Sequence, residues 1–200
     1  MIDKMTNVII LGASGNIARY VIDILVHKDD ISLTLFLRNK RRLRNKDVSK
    51  CRVIEADVLN YGELKNAISG QNIVYVNLAG DLEAMAKNIV KAMSEKGVKR
   101  IIAISSIGIY ETPLRPALRP YRKLADVIEA TRLDYTIVRP TWFTNSDEVD
   151  YEITRKGEPE KGSVISQKSL ATFIAEIIES PEKYVRENLG INKPNSQIQV

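Results

Sequence analysis

The chain has 200 residues, 44% hydrophobic and 28% charged, which is enough for one sizeable core, short for two, and leaves little room for a long disordered segment. No apolar run approaches the roughly 20 residues that span a bilayer, and the opening MIDKMTNVII lacks the basic start and long apolar centre of a signal peptide; a cytoplasmic protein with no membrane association is expected. The formal net charge of +5 is local, because residues 38–46, RNKRRLRNK, carry six bases and no acid and the remainder stands at −1, so a basic face spread for nucleic acid is not expected.

Apolar runs rich in β-branched residues alternate with stretches whose apolar residues recur at three and four. Residues 7–12 read as a strand, and from Gly15 onward Ile17, Val21, Ile24 and Leu25 share a helix face that ends near HKDD, where the lone histidine, His27, is a solvated helix-end residue. Strands follow at 31–37 and 51–57, and the single cysteine, Cys51, packs in the latter. It has no partner for a disulfide and no spacing for a metal site. A short helix at 60–69 leads to a strand at 72–80, then to a helix keeping Leu82, Met85, Ala86, Ile89, Val90 and Met93 on one side. A strand at 98–106, a proline-punctuated loop, a helix at 120–132 and a strand at 134–140 complete the regular part. Beyond it, YEITRKG suggests a small strand, and Leu170, Phe173, Ile174, Ile177 and Ile178 mark a helix stopped before Pro181. The pattern predicts an α/β fold: a doubly wound parallel sheet, or Rossmann fold, in one domain over 1–200, with residues ~141–200 forming the substrate side. Ligands of such sheets sit beyond the carboxyl ends of the strands.

The turn LGASGNIA carries Gly12, Ala13, Ser14, Gly15, Asn16 and Ile17 in the order G-x-x-G-x-x-A. Gly12 permits a tight turn, Gly15 lets backbone approach a phosphate, and the small Ala18 allows helix and strand to pack closely. N–H groups at the helix start favour a dinucleotide pyrophosphate. A P-loop would end in Gly-Lys-Ser/Thr, which is absent. Where an NAD enzyme has an acid after the second strand, this chain has Arg38, with Lys40 or Arg41 adding charge. Arginine presents a forked donor to a phosphate, so NADP is favoured over NAD.

With these residues the chain resembles the atypical short-chain dehydrogenase/reductases, in particular the NmrA-like and NAD(P)H-binding members that include biliverdin reductase B-like flavin reductases. The resemblance rests on GASGNIA, LFLR, EADVLN, VNLAG, AISSIGIY, Lys123 with Glu129, and DYTIVRPTW, in order and over nearly the whole chain. It implies that Asp57 and Val58 border the adenine, that Leu78, Ala79 and Gly80 lie against the coenzyme's sugar and phosphates, and that Ser105 and Ser106 lie near the nicotinamide. Ser106, four residues before Tyr110, matches the family's substrate-binding serine or threonine. Lys123 would hold the nicotinamide ribose, and Pro140, Thr141 and Trp142 would cover the nicotinamide and begin the substrate pocket.

One departure matters. The family's Tyr-x-x-x-Lys pair would need a tyrosine four residues before Lys123, where Arg119 stands. Tyr121 precedes Lys123 by two, and on a helix those side chains point roughly 200° apart. Tyr110 or Tyr121 would have to reach the site from a loop to act as the acid. The catalytic set expected is therefore Ser106, Lys123 and Tyr121, with a coenzyme that carries the hydride chemistry itself. The function read from these residues is an NADPH-dependent reductase of a small, planar electrophile such as a flavin or quinone, bound between Ser106, Trp142 and the loop near Leu82. The alternative is a non-catalytic NADP(H) redox sensor that signals to a protein partner, and nucleic-acid binding through 38–46 stands third.

Overall fold

The computed structural model describes residues 5–44 and 47–196. The last two residues of the basic stretch, Asn45 and Lys46, and the first four of the opening segment lie outside the described residues. In chain order the elements are β1 (Thr6–Leu11), α1 (Asn16–Leu25), β2 (Ile31–Leu37), β3 (Arg52–Glu55), α2 (Tyr61–Ile68), β4 (Ile73–Val76), α3 (Leu82–Lys96), β5 (Arg100–Ile104), α4 (Arg119–Glu129), β6 (Asp134–Pro140), β7 (Trp142–Thr144), β8 (Glu152–Arg155), β9 (Val164–Ser166), α5 (Gln167–Glu179) and β10 (Glu187–Asn192).

Eight strands form one sheet in the order β3-β2-β1-β4-β5-β6-β10-β8. Its neighbours pair in parallel except β8, which runs antiparallel to β10. β1 explains why the sheet is covered on both faces. Val8 and Ile10 enter the core shared with α1 and α5, while the alternate residues Ile9 and Leu11 enter the core shared with α2, α3 and α4, as a period of two requires. All four are fully buried, each worth roughly 1.5–3 kcal/mol of transfer free energy. Strand order reverses between β1 and β4, and such a reversal opens a crevice at the carboxyl rim.

The predicted elements are present, with instructive differences. The strand expected over 72–80 stops at Val76 because Asn77–Gly80 turn across the rim. The helix expected at 120–132 starts at Arg119 and ends at Glu129, its second residue a proline that the first turn accommodates without a lost bond. Cys51 lies at a bend one residue before β3, half-buried against the core, rather than within the strand; burial and then the Asp47 charge raise its thiol pKa. Three strands, β7, β9 and β10, were not expected.

β10 is the largest of these surprises. Its sequence ENLGIN looks like a turn, yet all but its first residue are buried. The chain reaches it through a connector in which Tyr184 and Arg186 both have positive φ. Arg100 holds that connector: its buried guanidinium donates to the Asp134 carbonyl at 2.8 Å, the Thr136 hydroxyl at 2.8 Å and the Lys183 carbonyl at 3.1 Å, and Thr136 in turn donates to the Tyr184 carbonyl at 2.8 Å.

Candidate functional site

Every strand end from β1 to β6 delivers a predicted residue to one rim. After β1 the chain turns at Gly12, whose φ is +86°, and the Gly12 and Ala13 N–H groups both donate to the Phe36 carbonyl, at 3.0 and 3.3 Å. A Cβ on Gly12 would overlap the Asn77 carbonyl oxygen, and one on Gly15 would overlap the Asn77 side-chain amide. The approach of Asn77, which the sequence reading passed over, therefore requires glycine at 12, where it presents backbone, and crowds position 15 with a movable side chain. Gly15 is the N-cap of α1 with no side-chain cap, and the first turn holds no acid, so its N–H groups are disposed toward an anion.

Two hollows flank this turn. The first, of about 230 Å³, is lined by Gly12, Ser14 and Gly15 from the turn, Arg38 and Arg42 after β2, Asp57 and Val58 after β3, and Asn77, Leu78 and Ala79 after β4. The Asp57 carboxylate accepts from the Leu59 N–H at 2.8 Å, which fixes the turn that presents it. The second is smaller, about 100 Å³, and brings Ala13 and Asn16 together with Arg19, Arg42 and Arg44. Arg42, missed in the sequence, faces both hollows. Lys40, expected to assist Arg38, instead points to Glu55, its Nζ 3.7 Å from that carboxylate, and Arg41 lines neither. The reason is the single 3-10 turn at Lys40–Arg42, capped by the Asn39 side chain, which rotates Arg42 inward.

A third chamber, of about 550 Å³, continues from the first, sharing Asn77 and Leu78 with it. Ile17, Ser105, Ser106, Tyr121, Pro140 and Thr141 line it as predicted, and Trp142 and Phe143 of β7 form an aromatic edge. Trp142 is 72% exposed. Ser105 is buried, its hydroxyl donating to the Tyr121 carbonyl at 3.1 Å, whereas the Ser106 hydroxyl reaches only its neighbour's carbonyl. The loop carrying both serines is fixed from behind. Gly108 N–H donates to one Glu160 oxygen at 3.0 Å while the other oxygen accepts from Nε of the fully buried Arg139 at 2.8 Å.

Four expected residues are placed elsewhere. Lys123 is exposed on α4 and its ammonium is hydrogen-bonded to Glu83 of α3; it is not among the residues lining the chamber. Gly80 lies beyond the rim, at the turn into α3, and lines neither chamber. Tyr110 does not approach from its loop, since its hydroxyl accepts from Asn188 at 2.8 Å and donates to Glu129 at 3.3 Å, and burial, then the Glu129 charge, raises its pKa. Leu82 is in the core, and the chamber is lined instead by Arg115, Ala117 and Leu118 at the 3-10 turn before α4.

The fit of a dinucleotide rests on the chain's own features. A glycine turn stands at a helix start that has no side-chain cap and no acid in its first turn, and Arg38, Arg42 and Asp57 line the same hollow beside it. The sequence model of the NAD(P)H-binding family matches residues 12–181. No curated protein matches the chain. Among solved structures it is similar to a Rossmann-fold NAD(P)-binding family protein from Shigella flexneri, with 46% identity, 96% of each chain covered and a TM-score of 0.90. It is also similar to a wide-type short-chain dehydrogenase/reductase from Veillonella parvula in complex with NADP, at 27% identity, 96% coverage of each chain and a TM-score of 0.87. ChuY, an anaerobillin reductase from Escherichia coli O157:H7, shares the fold at 15% identity, covering 95% of this chain and 98% of its own, with a TM-score of 0.80.

Proposed function

We propose, from the premise that the chain belongs to the NAD(P)H-binding family, that it is an NADPH-dependent reductase of a small planar acceptor such as a flavin or quinone. The observation that carries this reading is the junction at Asn77 and Leu78, where a hollow lined by two arginines and Asp57 opens into a larger, more apolar chamber edged by Trp142 and Phe143. A coenzyme laid along the rim would place its adenylate by Asp57 and Val58, its pyrophosphate on the turn from Gly12 to Ile17, and its 2′-phosphate on Arg38 and Arg42. That assignment favours NADP over NAD and agrees with the NADP bound to the Veillonella parvula relative. Such a coenzyme supplies the hydride.

The chain's part is position and exclusion. Ser105 and Thr141 are buried with their hydroxyls bonded to backbone, so they shape the chamber and do not exchange protons. Ser106 and Tyr121 are the hydroxyls left to orient an acceptor, and Pro140 closes the floor. With Lys123 hydrogen-bonded to Glu83, no lysine is among the described residues that line the chamber with Tyr121, and an acceptor that takes a hydride from the coenzyme and its one proton from water suits this set. One observation favours the other reading, a non-catalytic NADP(H) sensor: the Lys123–Glu83 contact occupies the ammonium that the family would place on the ribose.

Two measurements test the proposal. Thermal shift with NADP and NAD side by side should show stabilisation by NADP at lower concentration. NADPH oxidation should then appear on adding flavins or quinones; coenzyme binding without turnover on any acceptor supports the sensor.

A further inference from the structure

The acceptor chamber holds one cation and no carboxylate among the described residues that line it. That cation, Arg115, is the N-cap residue of the 3-10 turn Pro116–Leu118, fixed there by its carbonyl accepting the Leu118 N–H at 2.9 Å. Its guanidinium has one hydrogen-bonded partner among the described residues, Glu111, through a single contact of 3.3 Å. Both side chains are more than half exposed, and such pairs are held weakly. A guanidinium has five N–H donors, so most of them face the chamber mouth and solvent.

The pair is seated deliberately close to the loop. Gly108 has φ +79°, and a Cβ there would stand 3.0 Å from a Glu111 oxygen and 3.1 Å from Nη2 of Arg115. A side chain at 108 would crowd the pair and strain the left-handed backbone. Gly108 itself is anchored by Glu160 and the buried Arg139. The loop beside the cation is therefore fixed, and Arg115 lines the same chamber as Trp142 and Phe143.

We propose that Arg115 is a specificity-determining residue that binds an oxyanion, phosphate or carboxylate, carried at the solvent end of a planar acceptor whose ring lies against Trp142. The inference rests on the reductase reading for its acceptor, but its binding component stands without turnover. Glu111 competes with the substrate for the same guanidinium and so tunes the preference.

Trp142 is the sole tryptophan of the chain, so quenching of its fluorescence in the NADP-saturated protein reports occupancy directly. Titrations with FMN against riboflavin test phosphate, and anthraquinone-2-carboxylate against its neutral amide tests carboxylate. The anionic member of at least one pair should bind about tenfold more tightly, and the pair that shows it identifies the group. Arg115→Gln should abolish that ratio, and Glu111→Gln should increase it; a folding defect cannot produce opposite effects. Equal binding within both pairs, or ratios unmoved by Arg115→Gln, overturns the inference. NADPH oxidation run beside the titrations separates the two proposals. Turnover of neutral acceptors with no anion preference sinks the role of Arg115 alone. An Arg115-dependent binding ratio without turnover sinks the reductase reading alone, and no quenching by any of the four compounds sinks both.

Discussion

The ammonium of Lys123 is hydrogen-bonded to the carboxylate of Glu83 across the seam between α4 and α3, while Tyr121, two residues earlier, lines the acceptor chamber. The hydrogen bond from Lys123, then that from Lys87, holds the Glu83 carboxyl at about 2, below its ordinary 4.5. A carboxyl depressed on folding stabilises the protein fully above its unfolded value and loses that contribution as pH falls toward the folded one. The lysine is raised above 10.5 by the same contact, so its contribution persists below 10.5 and is lost only as pH climbs past the raised value. Lys123→Met should therefore lower the melting temperature modestly at pH 7, with the gap to the parent closing between pH 4.5 and 2. Lys123 is exposed and Glu83 half-buried at the surface, so the pair is open to salt screening and the effect should also shrink in high salt. NADP affinity should change by less than about threefold, the scale of a lost exposed ion pair; a much larger loss in calorimetric titration would move the ammonium onto the coenzyme.

Arg38 and Arg42 reach the same hollow from opposite ends of a tight turn. If they hold a 2′-phosphate, reversing one charge should cost NADP far more than NAD. Arg38→Asp is expected to raise the ratio of the NADP to the NAD dissociation constant about 100-fold, since a favourable charge-assisted contact becomes repulsive. Arg42→Ala should have a smaller effect of the same sign, and Arg41→Ala almost none. Calorimetry with both coenzymes decides it, and an unchanged ratio in Arg38→Asp removes the phosphate assignment.

Much of this arrangement is legible in the chain because each strand is a continuous apolar run and each ends in a chemically distinctive residue. Gly12, Arg38, Asp57, Ser105 and Thr141 need only the sheet to bring them to one rim. What sequence reading missed depends on side-chain direction or on distant packing. Arg42 and Lys40 are two residues apart in the same basic run, and only the 3-10 turn decides which faces inward. Lys123 is claimed by a glutamate forty residues away. β10 carries Asn188 and Asn192 in a buried strand, where Arg139, Tyr110 and Glu129 satisfy the first and Glu152 the second. Composition cannot announce partners that lie on other strands.

Arg100 should be a stability residue rather than a site residue. Its guanidinium is buried and bonded to neutral oxygens of β6 and of the connector to β10, and burial pulls its pKa down to about 10. Replacing it by methionine would keep the volume but leave several buried acceptors unpaired, at a cost of about 3 kcal/mol. Arg100→Lys should recover less than half, because one ammonium cannot reproduce the planar fork. Urea unfolding measures both, and NADP affinity per folded molecule should not change. A methionine variant as stable as the parent would show that the connector, despite positive φ at Tyr184 and Arg186, holds its shape without the arginine.

The two glycines of the turn make different demands. At Gly12 a side chain meets the backbone carbonyl of Asn77 and a left-handed φ as well; neither can yield, so Gly12→Ala should cost about 3 kcal/mol or more. At Gly15 the backbone is extended, with φ −72°, and the obstacle is the movable Asn77 side chain. Gly15→Ala should be milder, and adding Asn77→Ala should restore stability, with a coupling of about 1 kcal/mol between the two sites. That double variant isolates the functional demand. If Gly15 exists so that backbone can meet a pyrophosphate, the repaired fold should still bind NADP at least tenfold more weakly than the parent, because the new methyl group stands where the phosphate approaches. Parental affinity in the stable double variant would mean that the glycine serves only the packing of β1 against the Asn77 turn.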